Sequence, residues 1–347
     1  MALYFFVSAI MLIKESAKAI GGFLTTNIVS VIRDTTSGAF VGWIGTALVH
    51  SSGAFDSIIV TFTSTGIMPI TIGVATIIGA ELGTTVTPFL ISIFNQVRGG
   101  KRQSAAFNVT VSHVLYNLVT FVLFFILELM FGLFSKIAIS GGMIFIKAPW
   151  LSTVPDLLEI ITPWIPIILN FLPPWVGLIL GGVILVGALA GVEKYMTEIF
   201  SMPRSWNLIR ATFTKPVRAF FAGLLFTMLV PSTTVMVSLL VPLASSGVIS
   251  AEYYILPYIL GANIGTVFDV MVAAMATGDP FAMGVWLVHL SINVIGACIF
   301  MPLLKPFSNI VRKTSEMMSN SKRLSITIAI VFHAIPAFIV LFYLFTR

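Results

Sequence analysis

Charge is scarce in this chain: only 9% of its 347 residues are Asp, Glu, Lys or Arg, against roughly 25% in soluble domains. With a mean hydropathy of +1.05, that excludes a soluble globular protein. Cysteine is nearly absent. The lone Cys298 sits in an apolar run, which excludes an internal disulfide and a cysteine-rich metal site, and it reads as a small buried core residue. Metal-ligand spacings such as His-Glu-x-x-His are missing, and the adjacent pair His50-Ser51 cannot face one another on a helix, so the reading is that the chain is not an enzyme. The start, Ala2 to Ile13, is apolar but lacks a basic region and a small-residue cleavage site. It reads as part of a first helix rather than a leader.

What the chain has instead is long uncharged runs: Gln103 to Leu127, Ile160 to Val192, Ala219 to Ala251, Pro280 to Leu304 and Leu324 to Thr346. Each exceeds the ~20 residues that cross a ~30 Å hydrocarbon core. The excess of positive charge, +6, is gathered in loops, as the positive-inside rule requires, and calls for membrane lipid as partner and no nucleic acid. Arg98, Lys101 and Arg102 form one cytoplasmic cluster, Lys194, Arg204, Arg210, Lys215 and Arg218 a second, and Lys305, Arg312, Lys313, Lys322 and Arg323 a third.

The chain is also one unit used twice. His50-Ser51-Ser52-Gly53 is answered by Pro231-Ser232-Thr233-Thr234, and Gly79-Ala80-Glu81-Leu82-Gly83-Thr84-Thr85 by Gly261-Ala262-Asn263-Ile264-Gly265-Thr266. The offset holds: 231 − 50 and 247 − 66 (two glycines) both give 181, and 261 − 79 gives 182. His113…Asn117 answers His289…Asn293 at 289 − 113 = 176. In the first unit, Thr35 to Ser64 is too long for one span and too short for two, and predicts a re-entrant hairpin with its tip buried. Pro69 to Phe94 predicts a broken crossing, since glycines weaken a helix around 79–85, and Gln103 to Phe131 a return. The second unit repeats this as hairpin Ala219 to Ser246, broken crossing Tyr253 to Ala276 and return Phe281 to Leu304. The basic clusters orient the two units oppositely, and inverted repeats with discontinuous helices point to a secondary transporter with a midplane site.

The predicted fold is therefore an all-α polytopic membrane protein of inverted-topology repeats, each with a re-entrant helical hairpin and a broken transmembrane helix. Its parts are an N-terminal helix (1–34), the first repeat (35–131), an external loop with a surface-lying piece, a connecting helix and a cytoplasmic amphipathic segment (132–218), the second repeat (219–304), and a cytoplasmic loop with a last span (305–347).

The duplicated serine-rich tips, Gly261-Ala262-Asn263-Ile264-Gly265-Thr266, and Asn108 with His113 and Asn117 together resemble the sodium/phosphate cotransporter family, including its bacterial and archaeal members. The resemblance covers about residues 38 to 300. The family's tips usually read Gln-Ser-Ser-Ser; here His50 and Pro231 stand at the glutamines, Gly53 and Thr234 at the third serines, and Glu81 at the first unit's asparagine. The resemblance implies sodium-coupled symport of inorganic phosphate by alternating access, in a prokaryotic-type plasma membrane. Na⁺ is then the coupling ion, with no organic cofactor and with an inorganic anion or small molecule as cargo; a homodimer is compatible with it.

The candidate substrate residues are Ser51, Ser52, Ser232, Thr233, Thr234 and His50, whose polar side chains can contact an anion. The candidate ion-binding residues are Glu81, Thr84, Thr85, Asn263, Thr266 and Asp56. Half-helices beginning after the Gly-Thr motifs would offer free amides and positive dipole ends. No Lys or Arg occurs between Asp34 and Arg98 or between Arg218 and Lys305, so helix ends and bound cations must balance an anion. Asp56 and Glu81, carboxylates at membrane depth, are functional by default and could neutralise Na⁺ or bind H⁺. His113 and His289 read as interhelical polar locks, His333 as structural, Asp269 as lying near the outer surface and Glu128 as interfacial. The competing readings are a cation- or proton-coupled carrier of a dicarboxylate or nucleoside, and a passive ion channel.

Overall fold

The computed structural model describes residues 2–27, 32–99, 102–202, 210–249 and 252–346; Lys101 and Arg204 of the basic clusters lie outside them. Among the described residues six helices are long and apolar enough to cross a membrane, and the chain is a multi-pass membrane protein. The N-terminal segment is two helices, α1 (Ala2–Ala19) and α2 (Gly21–Asn27), rather than one.

The first hairpin is α3 (Thr35–Val49) and α4 (Ser52–Ser64), with His50 and Ser51 at the tip. Asp34 caps α3 by accepting from the Ser37 amide at 2.7 Å. The first arm ends because His50 takes a left-handed conformation (φ 61°), and the second begins because Ser51 accepts from the Ala54 amide at 3.3 Å. The crossing follows as α5 (Ile70–Gly83) and α6 (Val86–Val97), together one span in which Thr84 and Thr85 keep right-handed helical dihedrals and form a two-residue turn rather than the break expected around 79–85, and α7 (Gln103–Phe131) returns.

The connecting region differs from an external loop. Helix α8 (Leu133–Phe145) is packed, and Glu128 is buried, accepting from the Phe134 and Ser135 amides and the Ser135 hydroxyl at its start. It thus ties α7 to the α8 N-terminus, where a carboxylate is favoured, rather than lying at the interface. Helix α9 (Pro149–Ile161) bends from α8 by 81° and is mostly exposed, fitting the surface-lying piece. Helix α10 (Trp164–Phe171) is short, and α11 (Pro174–Ser201) runs on past Glu193. The amphipathic segment therefore does not begin at Glu193, and residues 203–209 of it lie outside the described residues.

The second hairpin is α12 (Pro216–Leu229) and α13 (Thr233–Ser245), with Ser232 capping α13 at the Val235 amide, 3.2 Å away, as Ser51 caps α4. Then come α14 (Ile255–Thr277), α15 (Pro280–Phe300), α16 (Leu304–Asn320) and α17 (Lys322–Phe345). Helix α16 stands where a loop was expected. Cys298 is exposed on α15 rather than buried.

Helix α14 is unbroken, against the expected interruption at 253–276. Its glycines serve the approach of a neighbouring backbone. A Cβ on Gly261 would collide with the Phe220 carbonyl and one on Gly265 with the Leu224 carbonyl, while one on Gly223 would strike the Tyr258 carbonyl. The first unit repeats this pair by pair, with Gly79 on Ala39, Gly83 on Trp43 and Gly42 on Thr76. The Gly-x-x-x-Gly spacing lets α5 and α14 lie backbone to backbone on the first arm of their own hairpin. Glycine serves close packing in both units alike, so it does not decide whether a helix ends: α14 runs on past Gly265 while α5 stops at Gly83. Gly284 plays the same part between α15 and α8, against the Ala138 carbonyl.

Contacts at the ends settle the two sides. Helix α17 starts with Lys322 reaching the Val97 carbonyl and ends with Tyr343 donating to Asp34 at the mouth of the first hairpin. The far end of the second hairpin, Gly247, lies against Arg102, five residues past Val97. The two hairpins therefore enter from opposite faces, the second from the basic one, and the repeats are inverted.

Candidate functional site

Each hairpin tip docks on the other unit's crossing. Gly53, in the first turn of α4, faces the carboxylate of Asp269 on α14, while Thr234 of the second tip donates to the Thr84 carbonyl at the α5–α6 turn, 3.4 Å away. Thr233 is held against its own unit, on the Ala262 carbonyl at 3.1 Å and on Thr266 Oγ1. All of these side chains are buried.

Ser51 and Ser232 spend a lone pair each on capping, which leaves the Ser52, Gly53, Thr233 and Thr234 amides without intrahelical acceptors, since the first turn of any helix lacks them. These are the free helix ends near the centre of the fold. The half-helix expected after the Gly-Thr motif exists only in the first unit, as α6, and the hairpins' second arms supply the others. Thr85 donates to the Leu82 carbonyl at 2.8 Å, whereas the Thr84 hydroxyl is buried without a partner. His50, the exposed tip residue, meets Thr87 Oγ1 at 2.7 Å.

The remaining candidates collect into two cross-unit groups. On one side His289 Nε2–H donates to Glu81 Oε1 at 2.7 Å, and Nδ1 of the same ring faces Asp56 Oδ2 at 3.7 Å. One ligand atom from each of the three lies within 4.8 Å of the others. Both Asp56 oxygens are buried without a hydrogen bond. On the other side Asn263 Nδ2 donates to Asn117 Oδ1 at 3.3 Å, beside His113. Asn117 and Asn293 each donate to the carbonyl of the histidine four residues earlier, at 3.0 and 3.1 Å. The interhelical lock expected of His289 thus joins opposite units, whereas at the other place Asn117 and Asn263 make the bond between units and neither ring nitrogen of His113 has a hydrogen-bond partner.

Asp269 is 5% exposed and central, not near the outer surface. As the only charged residue of α14 it carried the same signal as Asp56, a carboxylate at membrane depth. Glu193, one residue before the second basic cluster, projects from α11 to Ser232; nothing in its local sequence separates it from the basic stretch that follows. His333 donates or accepts only within α17, at the Ala329 carbonyl, 2.6 Å away.

The family described as Na+/Pi-cotransporter matches residues 5–149 and 184–338, the two units with the connecting segment skipped. Sodium-dependent phosphate transport protein 2A of Ovis aries is 27% identical over 173 residues, 46% of this chain and 25% of that protein. The protein of the same name from Rattus norvegicus is 26% identical over the same shares. Sodium-dependent phosphate transport protein 2B of Bos taurus is 29% identical over 144 residues, 41% of this chain and 19% of that protein. The chain spans about a quarter or less of the length of these curated relatives. No solved structure matches.

Proposed function

The chain belongs to the Na+/Pi-cotransporter family, and from that premise we propose that it is a sodium-coupled secondary transporter of inorganic phosphate working by alternating access. The observation that carries the reading is the pair of hairpins entering from opposite faces, each tip seated on the other unit's crossing helix. Phosphate binds on the amides at the starts of α4 and α13, where helix ends favour anions, with the hydroxyls of Ser52 and Ser232 beside them; Thr233 and Thr234, whose protons go to the Ala262 and Thr84 carbonyls, must turn from these to donate to the anion. Sodium takes oxygens at the Thr84-Thr85 turn and near Asn263 and Thr266, hard ligands suited to a hard cation. The units rock against each other about this fixed site. The chain works in the cell membrane of a prokaryotic-type cell and performs no covalent chemistry.

Uptake of labelled phosphate into proteoliposomes with and without an inward sodium gradient tests this. Sodium-dependent accumulation is expected; uptake indifferent to sodium, or competed by dicarboxylates or nucleosides and not by phosphate, would overturn it. The acidic group of Asp56, Glu81 and Asp269 favours one second reading, a cation- or proton-coupled carrier of another polar solute, because unneutralised carboxylates repel a phosphate dianion.

A further inference from the structure

His289 has a carboxylate at each ring nitrogen, Glu81 at Nε2 and Asp56 at Nδ1. A neutral imidazole carries one N–H and can serve only one of them; an imidazolium serves both. The Glu81 contact, at 2.7 Å, is a closed hydrogen bond with no room for an ion between its atoms. Nδ1 and both Asp56 oxygens have no hydrogen bond and are buried, so the group is one donor proton short. An imidazole nitrogen is also a poor ligand for a hard monovalent cation, which takes oxygens.

Among the described residues, the one buried lysine on a helix packed against α4 and α14 is Lys14 of α1, and its ammonium donates to the Thr277 carbonyl at 2.8 Å rather than to the cluster. Helices α4, α5, α7, α14 and α15 carry no Lys or Arg, and Lys136 on α8 is exposed. The titratable groups facing the cluster are Asp269 from α14 and Tyr116 from α7, with Glu193 of α11 beyond Asp269. His113 lies at the other lock, and Glu128 is held at the start of α8. Three carboxylates share one imidazole, so positive charge must arrive before an anion can.

We propose that Asp56, Glu81 and His289 form a proton-binding site whose proton travels with the phosphate. The proton comes from water on one side onto Nδ1 of His289, where Nδ1–H donates to Asp56 while Nε2–H stays on Glu81. It leaves as the same proton on the other side, and no other bond changes. Glu81 and Asp56 thereby hold a proton, and sodium is left to the hydroxyl and carbonyl oxygens. The coupling rests on the transporter reading; the proton site itself does not.

The test uses the full chain in proteoliposomes with equal sodium on both sides and labelled phosphate outside. An inward proton gradient is expected to accumulate phosphate several-fold in the wild type. Glu81→Asn, which installs the second unit's residue, and His289→Gln are expected to lose that response. His333→Gln, on a histidine outside both units, should keep it. A wild type that follows a sodium gradient and ignores the proton gradient, or a Glu81→Asn protein that still follows it, overturns the proposal. Should neither gradient move phosphate, the transport reading fails and the site is judged by a second measurement, the melting temperature of purified protein in mildly acid and mildly alkaline buffer. A proton site makes the wild type change more than Glu81→Asn; equal change overturns it.

Discussion

His289 of the second unit meets Glu81 of the first, while His113 of the first unit lies beside Asn263 of the second. These are corresponding places under the duplication, yet one is acidic and the other neutral. Glu81 answers to Asn263, Asp56 to Val237 and Asp269 to Thr87. All three carboxylates fall on one side of the pseudo-symmetry. A strict repeat would make the two places equivalent; here one is neutral, with Asn117 and Asn263 bonded across the units, and the other is acidic. What the two units do share is their backbone packing, and the comparison can be broken at either level.

The largest effect is expected at the shared level. Gly79→Ala and Gly261→Ala each push a methyl into a facing carbonyl that backbone cannot yield, and should destabilise the protein by about 3 kcal/mol or more. Gly182→Ala, the same change on α11 where nothing lies within 4 Å of the added carbon, should be neutral or stabilise by about 0.5 to 1 kcal/mol. Thermal unfolding in detergent reads all three. If Gly79 and Gly261 differ greatly from one another, the two units are not packed alike.

Next is the difference itself. Asn263→Glu would place a carboxylate beside His113 and Asn117 without the second carboxylate that the other lock has, at a cost of about 2.5 to 3.5 kcal/mol for a charge at membrane depth. The reverse change, Glu81→Asn, removes such a charge and should leave the melting temperature level or higher. Equal losses in both would mean that the acidic lock is built by its neighbours rather than by charge.

How far the sequence foretold this follows the same division. The hairpin bounds 35–64 and the return 103–131 were legible because an apolar run of fixed length and a polar tip are local properties. Of the break expected around 79–85 only a two-residue turn at Thr84-Thr85 is found, and α14 has none. Both motifs weaken a helix alone and both lie under a hairpin arm on matching glycines, so neither the motif nor the packing it serves tells the two helices apart. Gly223 and Gly42, spaced 181 apart like the rest, were the signal for that shared packing. Asp269 was placed too far out, and Glu193 among loop charges, because depth in the bilayer is set by where helices start and α11 runs on past its apolar stretch. The tip serines and threonines were found by type, but type could not say which hydroxyls would be consumed as caps.

That last point gives the smallest and most symmetric test. Ser51→Ala and Ser232→Ala each remove an N-cap, worth about 1 kcal/mol, and as caps alone they should lower stability equally and leave phosphate affinity nearly unchanged. The tips are not chemically equal, however. The first has Asp269 against Gly53, where a carboxylate already sits at the start of α4, while the second has the Thr233 and Thr234 hydroxyls with Glu193 nearby. An anion approaching either tip meets a carboxylate, but at the first tip Asp269 lies against the first-turn glycine itself with Asp56 and Glu81 beside it, while the second tip has Glu193 alone. The expected outcome is therefore equal melting shifts with a larger rise in the half-saturating phosphate concentration for Ser232→Ala than for Ser51→Ala. The reverse order would place the substrate at the first tip, and make Asp269 its companion rather than its obstacle.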